Sequence, residues 1–132
     1  MAMNGLEDAP TPPRQRWRTV GWVGVGVEAA ALAVASVAYG VHAFSLPEPA
    51  FAVGLSAFAA VVAMGLAAAA RGLARGARWA VSAALTWQAL QVLAGINLTG
   101  VRPGFGIPVA VLAAVVGIAV VLGARDALRP AS

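Results

Sequence analysis

Apolar residues run almost unbroken through four stretches of the chain, at about 18–42, 50–70, 79–98 and 105–124, with short clusters of Arg, Pro and Gly between them. Each stretch approaches the ~20 residues a helix needs to cross ~30 Å of hydrocarbon. The strict polar-apolar alternation of a transmembrane barrel strand is missing, and Ala abounds. The pattern predicts an all-α membrane protein, an antiparallel four-transmembrane-helix bundle forming one domain over residues 17–127. Residues 1–16, MAMNGLEDAPTPPRQR, carry three prolines and too few large apolar groups to bury, so they read as a flexible cytoplasmic tail. Residues 128–132 read as a short C-terminal tail.

The connections refine this plan. In SLPEPAF, Pro47 ends the first helix and Pro49 fits the first turn of the second. In RGLARGAR, Gly72 and Gly76 are expected to release the helix. INLTGVRPGFGIP is expected to form the longest loop and to offer the best surface for a partner outside the membrane. Asn97-Leu98-Thr99 matches a glycosylation acceptor but lies too near the membrane, so the match is read as chance.

Charge then sets an orientation. Arg14, Arg16 and Arg18 precede the first stretch, Arg71, Arg75 and Arg78 separate the second from the third, and Arg125 and Arg129 follow the fourth. Only Arg102 lies at the other side. The positive-inside rule therefore places both termini in the cytoplasm, with Trp17, Trp22 and Trp79 at the inner interface. Arg71, Arg75 and Arg78 are positioned to meet lipid head groups. An Arg-rich start and Val41-His42-Ala43 resemble a signal peptide with its cleavage site, yet the apolar run is about twice the ~7–15 residues such peptides use. The first stretch is read as an uncleaved helix.

Composition narrows the chemistry. With 61% hydrophobic and 11% charged residues, the chain suits a bilayer, and a soluble surface could not be covered. There is no Cys and one His, His42, so thiolate chemistry and multi-histidine metal or haem sites within one chain are excluded. No cofactor is expected. All nine basic residues are Arg, which with the abundance of Ala, Val and Gly suggests a GC-rich bacterial genome. They are spread over short separate segments, which argues against nucleic acid as a partner. No nucleophile-base pair or phosphate-binding loop is present, so an enzyme is not expected. The expected partners are the lipid bilayer and either further copies or another membrane protein.

One acidic residue sits inside a span. Glu28 lies about ten residues into the first stretch, where a charged group costs on the order of 2.5–3.5 kcal/mol on insertion scales. Helical steps from it give Gly21, Gly24, Ala31, Ala35, Tyr39 and His42, a small and polar stripe expected to face inward. At matching depth, TWQALQVL offers Gln88 and Gln91 on one face, and an amide can donate to a carboxylate or accept from a carboxylic acid. Helices 1 and 3 are therefore expected to pack with Glu28 against Gln88 or Gln91. Two roles stay open: an interhelical polar contact fixing register, or a proton- or cation-binding site. Tyr39 and His42 read as interface anchors.

Small residues mark the packing faces. Gly106, Ala110, Ala113 and Gly117, continued by Ala124, share one face of the fourth stretch, and Gly54, Ala57, Val61, Gly65 and Ala68 form a looser seam on the second. Such faces let backbones approach closely in lipid, within one chain or between copies. No internal repeat of the transporter kind is evident.

A four-span chain with a lone Glu in its first helix resembles the small multidrug-resistance exporters, a likeness that implies proton exchange at Glu28. TWQALQVLAG departs from the aromatic-and-glycine pattern of their third helix, and the Arg asymmetry departs from their dual-topology dimers. VEAAALAV, RGLARGARWAVSAALTWQALQVL and an apolar fourth helix ending at Arg resemble more closely a broad group of uncharacterised actinobacterial four-span membrane proteins. That resemblance covers most of the chain beyond residue 17 and implies no activity. Two functions follow as expectations. One is an accessory, scaffold or assembly component packing through its small-residue faces. The other is an oligomeric proton-coupled small-solute transporter or channel using Glu28.

Overall fold

The computed structural model describes residues 13–125. It contains four helices: α1 Pro13–Ala43, α2 Pro49–Ala74, α3 Arg78–Thr99 and α4 Pro103–Gly123. All four are long and apolar enough to cross a membrane, which defines a multi-pass membrane protein built as a helical bundle. Residues 1–12, Arg129 and the tail expected at 128–132 lie outside the described residues.

Helix boundaries differ from expectation where local chemistry favours continuation. The first helix starts at Pro13 instead of 18, because proline suits a first helical turn and Arg and Gln are good helix formers. Residues 13–16 are thus helical and not part of a tail. The second helix runs through Gly72 to Ala74. Gly72 does not release it: a Cβ built there would lie 2.5 Å from the Ala80 Cβ, so this glycine admits α3. Gly76 alone makes the turn, with φ +76°.

The loop expected to be longest spans only residues 100–102. Asn97 Nδ2 donates to the Leu93 carbonyl at 2.9 Å and Thr99 Oγ1 to the Gly95 carbonyl at 2.8 Å. Both polar side chains are satisfied by their own helix, which therefore continues through them. Pro103 then opens α4 at once. The surface foreseen for an outside partner is correspondingly small.

In cross-section, α1 packs on α2 and α4, while α3 packs on α4 and α2. Helices 1 and 3 therefore lie across a diagonal and are not neighbours. One core cluster draws on all four helices, with Val25 and Ala29 of α1, Leu66 and Leu73 of α2, Val81 and Ala84 of α3, and Val120 of α4. These residues lie at the level of Glu28 or between it and the end where Arg18, Leu73 and Gly123 meet. Arg18 fastens that end: its Nη2 donates to the Ala74 carbonyl at 2.6 Å and its Nε to the Leu73 carbonyl at 3.4 Å. Carbonyls left over at the end of α2 are thereby satisfied by a cation.

Away from that end, the helices bury residues only in pairs. On α1 and α2 these are Ser36, Ala43, Ala52 and Ala63; on α3 and α4 they are Gly95, Gly106 and Ala113. The seam between α1 and α4 shows the change most clearly. Gly21 meets Val120 and Gly24 meets Val116 in tight contact. Continued by helical steps, the same faces pass through Ala35, Tyr39 and His42 on α1 and through Leu112, Val109 and Phe105 on α4, all of them exposed. The upper part of the stripe expected to face inward, Ala31, Ala35, Tyr39 and His42, is thus uncovered.

The seam expected on helix 2 is not used within the chain. Gly54, Ala57, Val61, Gly65 and Ala68 are all exposed, and a Cβ at Gly54 or Gly65 would meet nothing within 4 Å. Small residues permit close approach but supply no attraction of their own in lipid. The packed face of α2 instead carries Leu66 and Leu73, which fill the core, and Ser56, which hydrogen-bonds to α1.

Candidate functional site

Midway along the bundle the membrane-embedded polar groups converge. Gln88 Nε2 on α3 donates to Glu28 Oε2 on α1 across the diagonal at 2.8 Å. Gln88 is buried, at 3% exposure, while Glu28 and Gln91 are half-buried. Room for the amide comes from Gly117 on α4, where a Cβ would stand 3.4 Å from the Gln88 Cβ.

Gln91 and Trp87 complete the network. The neighbours of the Gln91 amide fix its orientation. Its oxygen accepts from Trp87 Nε1 at 2.9 Å, and its nitrogen donates to Glu28 Oε1 at 3.2 Å and to Gln88 Oε1 at 3.3 Å. An indole can only donate, so Trp87 forces the Gln91 nitrogen toward the other two groups. The Gln88 oxygen is then taken, and its nitrogen faces Glu28. Both carboxyl oxygens consequently accept, one from each glutamine amide. Among the described residues no buried side-chain nitrogen or oxygen is left without a partner.

Trp87 was not foreseen as part of this site, although its four-residue spacing from Gln91 places the two on one helix face. A second polar contact was also not foreseen. Ser36 Oγ donates to the Ser56 carbonyl at 2.7 Å and Ser56 Oγ to the Ser36 carbonyl at 2.6 Å, joining α1 to α2. The only sequence signal is a lone Ser in each of two Ala-rich runs.

The other candidate residues fall in three places. Gly106, Ala110, Ala113 and Gly117 lie along one face of α4, toward α3: Ala113 is fully buried, and a Cβ at Gly95 would sit 2.7 Å from the Ala110 nitrogen. Arg71, Arg75 and Arg78 are exposed at the end fastened by Arg18. Tyr39 and His42 lie on the uncovered face of α1, beside a groove of about 520 Å³ shared with Leu55 and Ser56 of α2. His42 Nδ1 is 3.2 Å from Ser45 Oγ. Among the described residues no three His, Asp or Glu side chains converge as metal ligands would.

Comparison with protein-family models, with curated proteins and with solved structures returned no match.

Proposed function

We propose that this chain is an accessory or scaffold component of the bacterial cytoplasmic membrane, one that assembles with another membrane protein through faces its own helices leave uncovered. The observation that carries this reading is the α1–α4 seam, tight at Gly21 and Gly24 and unpartnered from Ala35 to His42. Lipid can cover such a face, but small and half-polar helix faces in membranes commonly receive another helix. The uncovered Gly54–Gly65 stripe of α2 supplies a second candidate face.

In this reading the helices form an antiparallel bundle with both termini in the cytoplasm. Three short connections and the eight Arg residues on one side support that arrangement. The Glu28–Gln88–Gln91 contact fixes the register of α1 against α3, and Arg71, Arg75 and Arg78 meet lipid phosphates. Membership in the actinobacterial four-span group belongs to the same proposal, and no catalytic activity is part of it.

One feature favours the alternative of an oligomeric proton-coupled transporter: Glu28 is half-buried at the base of an open seam. The E28Q chain in proteoliposomes separates the two. Retained folding and assembly with no change in proton-coupled flux supports the accessory role. Retained folding with loss of such flux overturns it.

A further inference from the structure

We infer that the open seam receives a transmembrane segment of another membrane protein, and that a Lys or Arg on that segment pairs with Glu28. This rests on the assembly reading and names the chemistry of the partner.

The first ground is hydrogen-bond polarity. Gln88 and Gln91 each turn an N–H toward Glu28, the Gln91 amide being oriented by Trp87, so both carboxyl oxygens are acceptors. The amides supply donors and no charge. A carboxylate offers about four lone-pair positions, and two are used. The second ground is the absence of a countercharge: residues 19–70, 79–101 and 103–124 contain no Lys or Arg. An acidic group in hydrocarbon is most stable when paired. A second copy of this chain carries the same sequence and could bring no cation to that depth, so the occupant is a different protein.

The third ground is access. Glu28 is half-buried, and the residues above it on the same face of α1, Ala31 and Ala35, are exposed. On α4, Leu112 and Val109, one and two helical turns beyond Val116, are exposed and offer an apolar wall. Toward the opposite end the route is closed by Val116 and Val120 against Gly24 and Gly21. A basic side chain on an apolar helix lying in the upper seam can extend its aliphatic stem down this wall and place its charge at the carboxylate.

The test uses the full chain, which lacks cysteine, labelled through V101C at the exposed 100–102 turn and reconstituted in phosphatidylcholine vesicles. Energy transfer is measured to synthetic Leu/Ala transmembrane peptides with a single central Lys, Arg, Gln or Leu, and to a second labelled copy of the chain. The Lys and Arg peptides should associate about tenfold more strongly than the Leu peptide, a coupling of the size one desolvated ion pair supplies. That preference should vanish in E28Q, with circular dichroism checking that the variant is folded. It should weaken in A35F, which fills the seam and leaves Glu28 in place. Equal association of all four peptides overturns the inference, as does a Lys preference that survives E28Q. If the Gln and Leu peptides bind as well as Lys and A35F blocks them all, the inference fails while the assembly reading stands. Stronger association with the second copy than with any peptide overturns the inference in favour of a homo-oligomer. If nothing associates, both fail.

Discussion

Ser36 and Ser56 each donate a hydroxyl to the other's backbone carbonyl, at 2.7 and 2.6 Å, so two side chains satisfy each other across the α1–α2 interface. The arrangement works because both neighbourhoods are small. Gly40 faces Ser56, and a Cβ there would lie 2.6 Å from the Ser56 Oγ. Interhelical bonds of this kind average about 0.6 kcal/mol and reach about 1.7 in membranes. S36A and S56A should each destabilise by that order and show coupling in a double-mutant cycle, measured by reversible unfolding in bicelles. G40A should cost less in the S56A background than in the parent, because the obstructing hydroxyl is gone. Additive effects throughout would falsify the reciprocal contact.

The membrane-spanning elements were legible because continuous apolar runs near twenty residues have one economical solution in lipid. Glu28, Gln88 and Gln91 were singled out by the same physics, since polar groups at that depth are costly enough to need one another. What the sequence left open was rotation. The face of α1 continued from Glu28 by helical steps passes through Tyr39 and His42, yet beyond Gly21 the helix buries Val25, Ala29, Ser36 and Ala43, about one residue further round. Apart from these few polar residues, nearly every position on a span is apolar enough for lipid, so hydrophobic patterning cannot tell which side meets protein. For the same reason Gly54 and Gly65 read as a packing seam while α2 packs through Leu66 and Leu73. Loop ends depart from the sequence pattern where Asn97 and Thr99, turn formers elsewhere, bond back to their own helix.

Glycines on α3 and α4 should divide sharply from those on α2. A Cβ at Gly95 would approach the Ala110 backbone to 2.7 Å, and one at Gly106 would strike the Thr99 and Gly95 backbones, which cannot swing aside as a side chain can. G95A and G106A should therefore destabilise by about 1–3 kcal/mol through overpacking. G54A and G65A meet open space, so helix propensity alone should leave them neutral or stabilised by up to about 1 kcal/mol. Unfolding of the four variants in one bicelle series checks this contrast. A G54A or G65A penalty as large as that of G95A would show that the exposed stripe is packed, as contacts between copies would pack it.

Arg18 joins three helices at one end. Its guanidinium bonds the Ala74 and Leu73 carbonyls, and its backbone nitrogen would lie 2.6 Å from a Cβ at Gly123. R18M keeps the stem and removes the donors, which should cost under about 1 kcal/mol because the site is exposed and screened. The sharper readout is local: amide exchange in the last turn of α2 should accelerate while that of α3 is unchanged. G123A forces the backbones of α1 and α4 apart and should cost more than R18M, about 1–3 kcal/mol. Unaltered exchange in R18M would remove the capping role.

The Glu28 network makes the most discriminating prediction, because its members differ in what their loss leaves behind. In Q88L, Glu28 Oε2 and the Gln91 amide nitrogen each lose a partner while still half-buried, a situation worth about 1–3 kcal/mol. In E28Q one carboxyl oxygen becomes an amide nitrogen facing another donor, so a single bond is lost, on the order of 0.6–1.7 kcal/mol. Removing both partners in E28L/Q88L leaves Gln91 with Trp87 and abolishes the desolvated pair, so the double variant should recover most of the Q88L loss. W87F removes the indole donor that orients the Gln91 amide, so it should cost less in the Q91L background than alone. The ordering Q88L worse than E28Q, with recovery in the double variant, is readable from unfolding midpoints at fixed bicelle composition. A double variant as unstable as the sum of its singles would mean that Glu28 and Gln88 do not act on each other, and the register of α1 against α3 would then have to be attributed to the apolar core beneath them.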